Sequence, residues 1–175
     1  MIVVPLSQTL IPQVEELMRL GTPFVCPRTH SDYWLYARLF SSTCPVAMID
    51  DDVAGAVIAF RSQDTPDEVY VQDVATHPGH RGKGVARTLL SAVSEYAIQH
   101  GCARIYLTSE PDNSVAHCTW LSLGFLNLPG DRVEDGVEVI ADFKGPGRDR
   151  AVYELDLGRE RLGTQPVVDS ASSCA

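Results

Sequence analysis

The segment from residue 69 to residue 86 most constrains the fold of this chain of 175 residues. It reads VYVQDVATHPGHRGKGVA, an alternating β-branched strand followed by a turn and a glycine-basic-glycine run that opens an amphipathic helix. The glycines and the helix N-terminus leave backbone N–H groups free, with the positive end of the helix dipole behind them. This pattern favours binding of a pyrophosphate. A plain turn that feeds a surface helix is the alternative interpretation.

Composition and charge narrow the class of protein. Apolar residues make up 45% of the chain and charged residues 21%, a balance typical of a single globular domain. The net charge of −9 argues against nucleic-acid binding and against an anionic membrane surface. An acidic surface favours cationic ligands, because it attracts them over a distance.

The cysteines and the N-terminus bear on metals and compartment. The five cysteines are widely spaced, with no CxxC pair and no zinc-ligand spacing to a histidine. We therefore expect reduced thiols, no metal and a cytoplasmic protein. The chain has no signal-peptide pattern at its start and no run of about 18 apolar residues, so no membrane span is expected.

The hydrophobic pattern predicts the element order β-α-α-β-β-β-α-β-α-β-β. The predicted strands are residues 2–5, 45–49, 53–60, 69–76, 104–107, 137–143 and 151–157, and the predicted helices are residues 10–20, 32–40, 85–100 and 115–123. The last two strands are expected to pair with each other through a turn at 144–147. The helix at 32–40 is expected to bury Trp34, Leu35, Leu39 and Phe40. The helix at 85–100 is expected to place Val85, Leu89, Leu90, Val93 and Ala97 on one buried stripe. Residues 158–175 are polar and small, which predicts a disordered tail.

The run Arg81-x-x-Gly84-x-Ala86 resembles motif A of the GCN5-related N-acetyltransferases. The element order also matches that family over residues 1–157, which implies one acetyltransferase domain. The implied fold is α/β: a mixed, mostly antiparallel sheet with a central splay, flanked by about four helices. The implied cofactor is acetyl-coenzyme A, with the pyrophosphate on the glycine turn and the pantetheine along the end of the strand. The cofactor-binding residues that follow from the resemblance are Val74, Ala75, Thr76, Arg81, Gly82, Lys83, Gly84, Val85, Ala86, Asn113 and Ala116.

Acetyl transfer to an amine requires a base, because an ammonium is not a nucleophile. Asp73 comes just before the predicted cofactor strand end and is the candidate base. Many family members carry a tyrosine that protonates the departing thiolate, but Trp120 stands at that position here. An indole N–H donates a hydrogen bond without giving up its proton near neutral pH. Water, Tyr70 or Cys118 could serve as the donor instead.

Two further resemblances concern the acceptor. The triplet Ser31-Asp32-Tyr33 and the run at 68–73, whose last residue is Asp73, are similar to aminoglycoside 3-N-acetyltransferases. Ser31-x-Tyr33 and the run at 108–113 also resemble diaminobutyrate acetyltransferases of ectoine synthesis. The expected acceptor is therefore a small cationic amine, an aminoglycoside first and diaminobutyrate or another polyamine second. The candidate acceptor-binding residues are Asp32, Tyr33, Glu110, Asp112, Glu138 and Asp142.

Other functions remain open at this stage. A protein N-terminal amine is an alternative acceptor, and a non-catalytic acyl-coenzyme A-binding domain is the alternative outside enzymes. No serine or cysteine has an evident activating base, so direct attack in a ternary complex is expected. The β pair predicted near the C-terminus is a candidate interface for a homodimer.

Overall fold

The computed structural model describes residues 1–158, so the predicted tail lies outside the described residues from 159 onward. The strands are β1 (Ile2–Pro5), β2 (Pro45–Ile49), β3 (Asp52–Arg61), β4 (Glu68–Thr76), β5 (Arg104–Ser109), β6 (Leu126–Asn127), β7 (Arg132–Glu134), β8 (Val137–Val139) and β9 (Ala151–Asp156). The helices are α1 (Ile11–Arg19), α2 (His30–Leu39), α3 (Val85–Gln99) and α4 (Ser114–Ser122). No helix within residues 1–158 is long and apolar enough to cross a membrane.

Within the described part of the chain, seven strands form one sheet in the order β1-β2-β3-β4-β5-β9-β6. Every neighbouring pair is antiparallel except β4 and β5, which run parallel and are connected through α3. The expected mixed, mostly antiparallel sheet with four flanking helices is confirmed. The acidic turn between β2 and β3 is tight, with Asp50 and Asp51 at positive φ.

The sheet buries an apolar cluster on each of its two faces. On one face α3 contributes the full predicted stripe, with Val85, Leu89, Leu90, Val93 and Ala97 all buried. On the other face α1 and Tyr33 of α2 cover Val46, Ala56 and Ile58 of the central strands. We call these the α3 face and the α1/α2 face.

A β-bulge in β4 changes which face its side chains reach. Ala59 pairs with Val71, but the next residue of β3, Ile58, pairs with Asp73, so Gln72 is the extra residue. Val71 lies on the α3 face with its partner Ala59, whereas Ile58 lies on the α1/α2 face. Because cross-strand partners share a face, the bulge directs Asp73 to the α1/α2 face.

The splay implied by the resemblance is present between β4 and β5. The two strands pair from Glu68–Arg104 to Val71–Leu107 and then separate, while the rest of β5 continues to pair with β9. Residues 72–76 of β4 therefore have no strand partner on the β5 side within the described chain. Their backbone groups are available to a ligand that enters the gap.

The buried side of α2 differs from the prediction. Trp34, Leu35 and Leu39 are 47%, 39% and 66% exposed, whereas Tyr33 is fully buried. The inward stripe is instead Tyr33, Tyr36, Ala37 and Phe40, spaced as one helical face. Phe40 packs edge-on against Phe60 of β3, with ring centroids 4.9 Å apart. Aromatic packing against the sheet thus decided the orientation of the helix.

The predicted pairing of the last two strands is wrong. β8 pairs with β7, and β9 lies between β5 and β6 in the main sheet. A single bridge between Ile140 and Arg150 is what remains of the predicted hairpin. Because β9 is an internal strand, the β pair proposed as a dimer interface does not exist as an exposed unit.

Candidate active site

A groove of about 640 Å³ opens at the C-terminal end of β4. One wall is the turn before α3, and a second is the exposed side of α4. Residues 20–25, in the connection between α1 and α2, form the third wall. The groove therefore joins the splayed strand end to a helix N-terminus.

The glycine turn has the geometry that an anion site requires. Gly82 and Gly84 have φ of +73° and +78°, and a Cβ at either position would meet no atom within 4 Å. Gly84 is the N-cap of the 15-residue helix α3, and no side chain caps it. The first N–H groups of α3 are thus free for a ligand, and the helix dipole favours a negative one. These residues fit the pyrophosphate of coenzyme A.

All but two of the predicted cofactor-binding residues line this groove. Those that line it are Val74, Thr76, Arg81, Gly82, Gly84, Val85, Ala86, Asn113 and Ala116. Ala75 is buried on the α1/α2 face instead, because successive strand residues alternate between faces. The Lys83 amino group lies 3.4 Å from Nδ1 of His80, outside the lining. Asn113 has a structural task as well, since its Oδ1 accepts the backbone N–H of Ala116 at 3.1 Å.

Several lining residues were missed from the sequence. Arg87 extends the basic wall, and its Nη2 donates to the carbonyl of Ser122 at 3.1 Å, which connects α3 to the end of α4. Its place in the first turn of α3 was a usable signal. Residues 20–25 carried no comparable signal, because their position depends on how the α1–α2 connection folds back over the groove.

Trp120 lies in the groove wall and also in the core. Its side chain is packed in the apolar cluster on the α3 face, 9% exposed, with its ring 6.3 Å from that of Phe125. The indole Nε1 is buried and has no hydrogen-bond acceptor among the described residues. Of the other candidate donors, the Tyr70 hydroxyl contacts Lys144, and Cys118 is exposed on α4.

Asp73 is a buried carboxylate at the splay. It is 9% exposed, and its Oδ2 accepts no hydrogen bond within residues 1–158. Burial raises the pKa of the Asp73 carboxyl above its usual value, the charges of Arg28 and Lys144 oppose the rise, and Glu110 adds to it. A carboxyl in this state accepts a proton more readily than an exposed one.

Arg28 is the cation nearest to Asp73 and was missed from the sequence. Its Nε lies 3.9 Å from Asp73 Oδ2, and its side chain is 36% exposed. The backbone N–H of Arg28 donates to the Tyr33 hydroxyl at 3.3 Å. Tyr33 is fully buried, so it anchors the start of α2 next to Asp73. Burial raises the pKa of Tyr33, with a further rise from Asp73.

Lys144 approaches the same region from the loop between β8 and β9. Its Nζ donates to the Tyr70 hydroxyl at 2.5 Å and lies 5.2 Å from the centroid of that ring. Tyr70 in turn packs against Tyr106 of β5, with centroids 5.0 Å apart. Lys144 and Tyr70 are 74 residues apart in the sequence, so local sequence patterns do not reveal this contact.

Two of the remaining predicted acceptor-binding residues, Glu110 and Asp112, lie between β5 and α4. Glu110 follows β5 across the splay, within electrostatic reach of Asp73, and forms an ion pair with Arg150 at 3.2 Å. Asp112 precedes α4, and its carbonyl accepts the Ser114 N–H at 3.0 Å. The Glu110 carboxylate is thus paired, although it still raises the pKa of Asp73.

Asp32, Glu138 and Asp142 have local structural contacts. Asp32 closes a capping box, in which its Oδ2 accepts from Thr29 N at 2.9 Å and its N–H donates to the Thr29 hydroxyl. Glu138 Oε2 accepts from Gly130 N at 3.0 Å, and Asp142 Oδ1 accepts from Gly147 N. The described contacts connect Glu138 and Asp142 to their own loops rather than to Asp73.

Residues 1–158 hold no cluster of three His, Cys, Asp or Glu side chains arranged for a metal.

Comparison with known sequences defines the class. The sequence profile of the acetyltransferase (GNAT) family matches residues 11–125. The chain belongs to this family.

Relatives with assigned names are similar over part of the chain. The L-2,4-diaminobutyric acid acetyltransferase of Nocardia farcinica is 35% identical over 81 residues, which is 46% of this chain and 42% of that protein. The protein of the same name from Marinococcus halophilus is 31% identical over 91 residues, 52% of this chain and 53% of that one. The chain thus spans about half the length of these curated relatives. They favour the diaminobutyrate resemblance over the aminoglycoside one.

Among solved structures, the diaminobutyrate acetyltransferase of Paenibacillus lautus, in complex with diaminobutyric acid and coenzyme A, superposes with a TM-score of 0.74. The alignment covers 93% of this chain and 98% of that one at 22% identity. This likeness confirms the GNAT fold.

Proposed function

We propose that the protein is an acetyl-coenzyme A-dependent N-acetyltransferase that acetylates a primary amine of a small amino acid, with 2,4-diaminobutyrate as the acceptor. One observation carries the proposal: the buried carboxylate of Asp73 lies on the splayed strand β4, whose free end forms part of the cofactor groove. A base and a cofactor site are thus adjacent on one strand.

The groove residues have separable tasks. The glycine turn and the N-terminus of α3 bind the pyrophosphate, and Arg81 and Arg87 add positive charge to the same wall. Backbone N–H groups at the free edge of β4 hold the pantetheine and polarise the reacting carbonyl. Acetyl-coenzyme A, when bound, supplies the thioester carbonyl that the amine attacks.

Asp73 prepares the nucleophile. An amine near pKa 10 is almost entirely protonated at neutral pH, so a proton must leave before attack. The raised pKa of Asp73 suits it to receive that proton, directly or through one water molecule. The amine would then attack the thioester carbonyl directly, without a covalent enzyme intermediate. The C–N bond forms as the C–S bond breaks, and the second proton lost by the nitrogen balances the thiolate, which leaves as free thiol.

The names of the relatives and the charges near Asp73 both support an amino acid as the acceptor. The named relatives described above act, by their names, on diaminobutyric acid. Arg28 and Lys144 beside Asp73 make the site unlike an acidic cavity built for a polycation. An acceptor that carries both an amine and a carboxylate suits this combination of charges better than an aminoglycoside does.

The test is release of free thiol from acetyl-coenzyme A by the purified chain. The acceptor panel would contain 2,4-diaminobutyrate, aspartate, an aminoglycoside and a short peptide with a free N-terminus. We expect 2,4-diaminobutyrate to have the highest kcat/KM. A protein that binds coenzyme A but releases no thiol with any acceptor would be a binding domain instead, and a preference for the aminoglycoside would refute the proposed acceptor.

A further inference from the structure

Two cations from distant parts of the chain act on the single base of the site. Arg28 precedes α2, and its Nε lies 3.9 Å from Asp73 Oδ2. Lys144 lies in the loop between β8 and β9 and donates to the hydroxyl of Tyr70, whose β3 partner Phe60 packs on the α1/α2 face. Because cross-strand partners share a face, Tyr70 and Asp73 lie on the same face of β4, and both cations approach that face. We propose that Arg28 and Lys144 form a subsite that binds the carboxylate of the acceptor, so that the protein selects amino acids over amines of the same shape without a carboxylate. The inference rests on the proposed function and assigns the residues that determine its specificity.

The Arg28 guanidinium has hydrogen-bond donors that no described residue uses. Within the described residues its guanidinium has one ion-pair partner, Asp73, at the long distance of 3.9 Å from Nε. A guanidinium presents five donors in a planar fork that matches a carboxylate. The backbone of Arg28 is fixed by the buried Tyr33 hydroxyl, and its side chain is partly open to solvent. The Nη groups are thus positioned and available.

Lys144 is oriented in a similar way. Its Nζ is held against Tyr70 by a hydrogen bond of 2.5 Å and by the face of the ring. One of its three donors is used, so two remain for a ligand. The loop itself is ordered by hydrogen bonds, since Lys144 N donates to Arg148 O at 3.1 Å and Arg148 N to Gly145 O at 2.9 Å. Ordering before binding lowers the entropic cost of recognition.

The balance of charge at the splay supports a carboxylate ligand. Glu110 also acts on Asp73 but is paired with Arg150 at 3.2 Å, and Asp32 lies within electrostatic reach of Arg28. Arg28 and Lys144 are the cations whose charges act on Asp73. A carboxylate on the acceptor is attracted to these two cations, whereas an acceptor with only ammonium groups gains nothing from them.

The experiment compares two acceptors that differ only in the carboxylate. They are 2,4-diaminobutyrate and 1,3-diaminopropane, each measured with saturating acetyl-coenzyme A. We expect the wild-type protein to favour diaminobutyrate in kcat/KM. Arg28→Gln and Lys144→Met should each lower kcat/KM for diaminobutyrate about tenfold or more, mainly through KM, as expected for the loss of a charged hydrogen bond. The value for diaminopropane should fall less than the value for diaminobutyrate, because only the effect of the two cations on the Asp73 carboxyl is shared by both acceptors.

The ratio of the two acceptors isolates the subsite, because an effect of Arg28 on the base alters both reactions alike. Arg38→Gln, which removes one exposed positive charge from the last turn of α2, is the matched control and should leave the ratio unchanged. Melting temperature and coenzyme A affinity would establish that each variant is folded. Arg28→Lys is a conservative variant, because it keeps the positive charge and removes the planar guanidinium.

The outcomes separate the two proposals. Collapse of the ratio in both variants supports the subsite. An unchanged ratio in folded variants that still acetylate diaminobutyrate overturns the subsite and leaves the proposed function standing. Failure of the wild-type protein to acetylate either amine overturns the proposed function, and the subsite with it.

Discussion

Arg28 Nε lies 3.9 Å from Asp73 Oδ2, which joins the start of α2 to the splayed strand through an ion pair longer than a hydrogen bond. The carboxylate is buried, and the guanidinium is partly exposed. The charge of Arg28 opposes the rise that burial causes in the pKa of Asp73, and the long distance leaves the cation free to exchange partners. The relationship connects the catalytic proposal to the proposed carboxylate subsite.

Asp73→Asn should lower turnover by about two orders of magnitude at neutral pH, because general bases contribute on this scale. Coenzyme A affinity should stay unchanged, since the side chain lies on the α1/α2 face and not in the groove lining. The measurement is kcat by thiol release, together with a coenzyme A titration. A variant that keeps most of its activity at neutral pH would show that another group is the base, with Glu110 the next candidate.

The pH profile provides a second test of the base. Burial raises the pKa of Asp73, so wild-type kcat/KM should rise with pH along a limb above the usual carboxyl range. Asp73→Asn should lose this limb and keep the one that follows the acceptor amine. Its deficit should therefore shrink at high pH, where more amine is already neutral. A variant profile with the same acid limb as the wild type would contradict the assignment.

The same substitution should stabilise the fold at neutral pH. The pKa of the Asp73 carboxyl is higher in the folded protein than in the unfolded one, so this carboxyl favours folding most at pH values below the unfolded pKa. This contribution to stability is lost as the pH rises through the folded pKa. Ionised Asp73 is thus a cost at neutral pH, which Arg28 offsets in part. We expect Asp73→Asn to raise the melting temperature by about 2–4 °C, as for a gain of about 1 kcal/mol. The difference should vanish in acid, and a lower melting temperature at neutral pH would refute the argument.

Gly84→Val should raise the dissociation constant of coenzyme A by about tenfold or more. Gly84 has φ of +78°, and a side chain there would project into open space beside the groove. Gly136→Val is the matched control, because Gly136 has φ of +83°, also faces open space and lies in the β7–β8 turn. Both variants should lose stability from the strained backbone. Equal coenzyme A affinities would show that the glycine turn is not the pyrophosphate site.

Trp120→Phe should keep turnover within about threefold of the wild type, because an indole is not an acid near neutral pH. The Nε1 of Trp120 is buried without an acceptor, so its loss leaves no partner unsatisfied. The measurement is kcat with the proposed acceptor, alongside the melting temperature. A loss of about a hundredfold in a folded variant would give the indole a direct role in the reaction.

The described cysteines should differ in reactivity toward a thiol reagent. Burial raises the pKa of the Cys44 thiol to about 12, and Cys102 is also buried, whereas Cys26 and Cys118 are exposed. In a chain with Cys174→Ser, we expect Cys26 and Cys118 to react in the native state and the other two only after unfolding. Peptide mapping of the labelled sites checks this. Early labelling of Cys44 would contradict the structure of the α1/α2 face.

The sequence was sufficient where structure is local. Helix α3 and its buried stripe follow from hydrophobic spacing, and the glycine turn follows from residues that are neighbours in the chain. The orientation of α2 and the partner of β8 were predicted wrongly. Phe40 packs inward as expected, but Phe60 also takes Tyr36 rather than Leu39 as a neighbour, and β5 takes β9. Both outcomes depend on contacts with residues distant in the sequence.

The sequence by itself determined the family and identified the glycine turn and Asp73 as candidates for cofactor binding and base, because short motifs carry that chemistry. Only the tertiary structure decided where Asp73 faces and what surrounds it. One extra residue at Gln72 directs the carboxylate to the α1/α2 face. There the charges of Arg28 and Lys144, which are far apart in the sequence, act on it. Coulomb energy depends on distance in space and not on separation in sequence, so the charges of an acceptor site emerge only when the chain is folded.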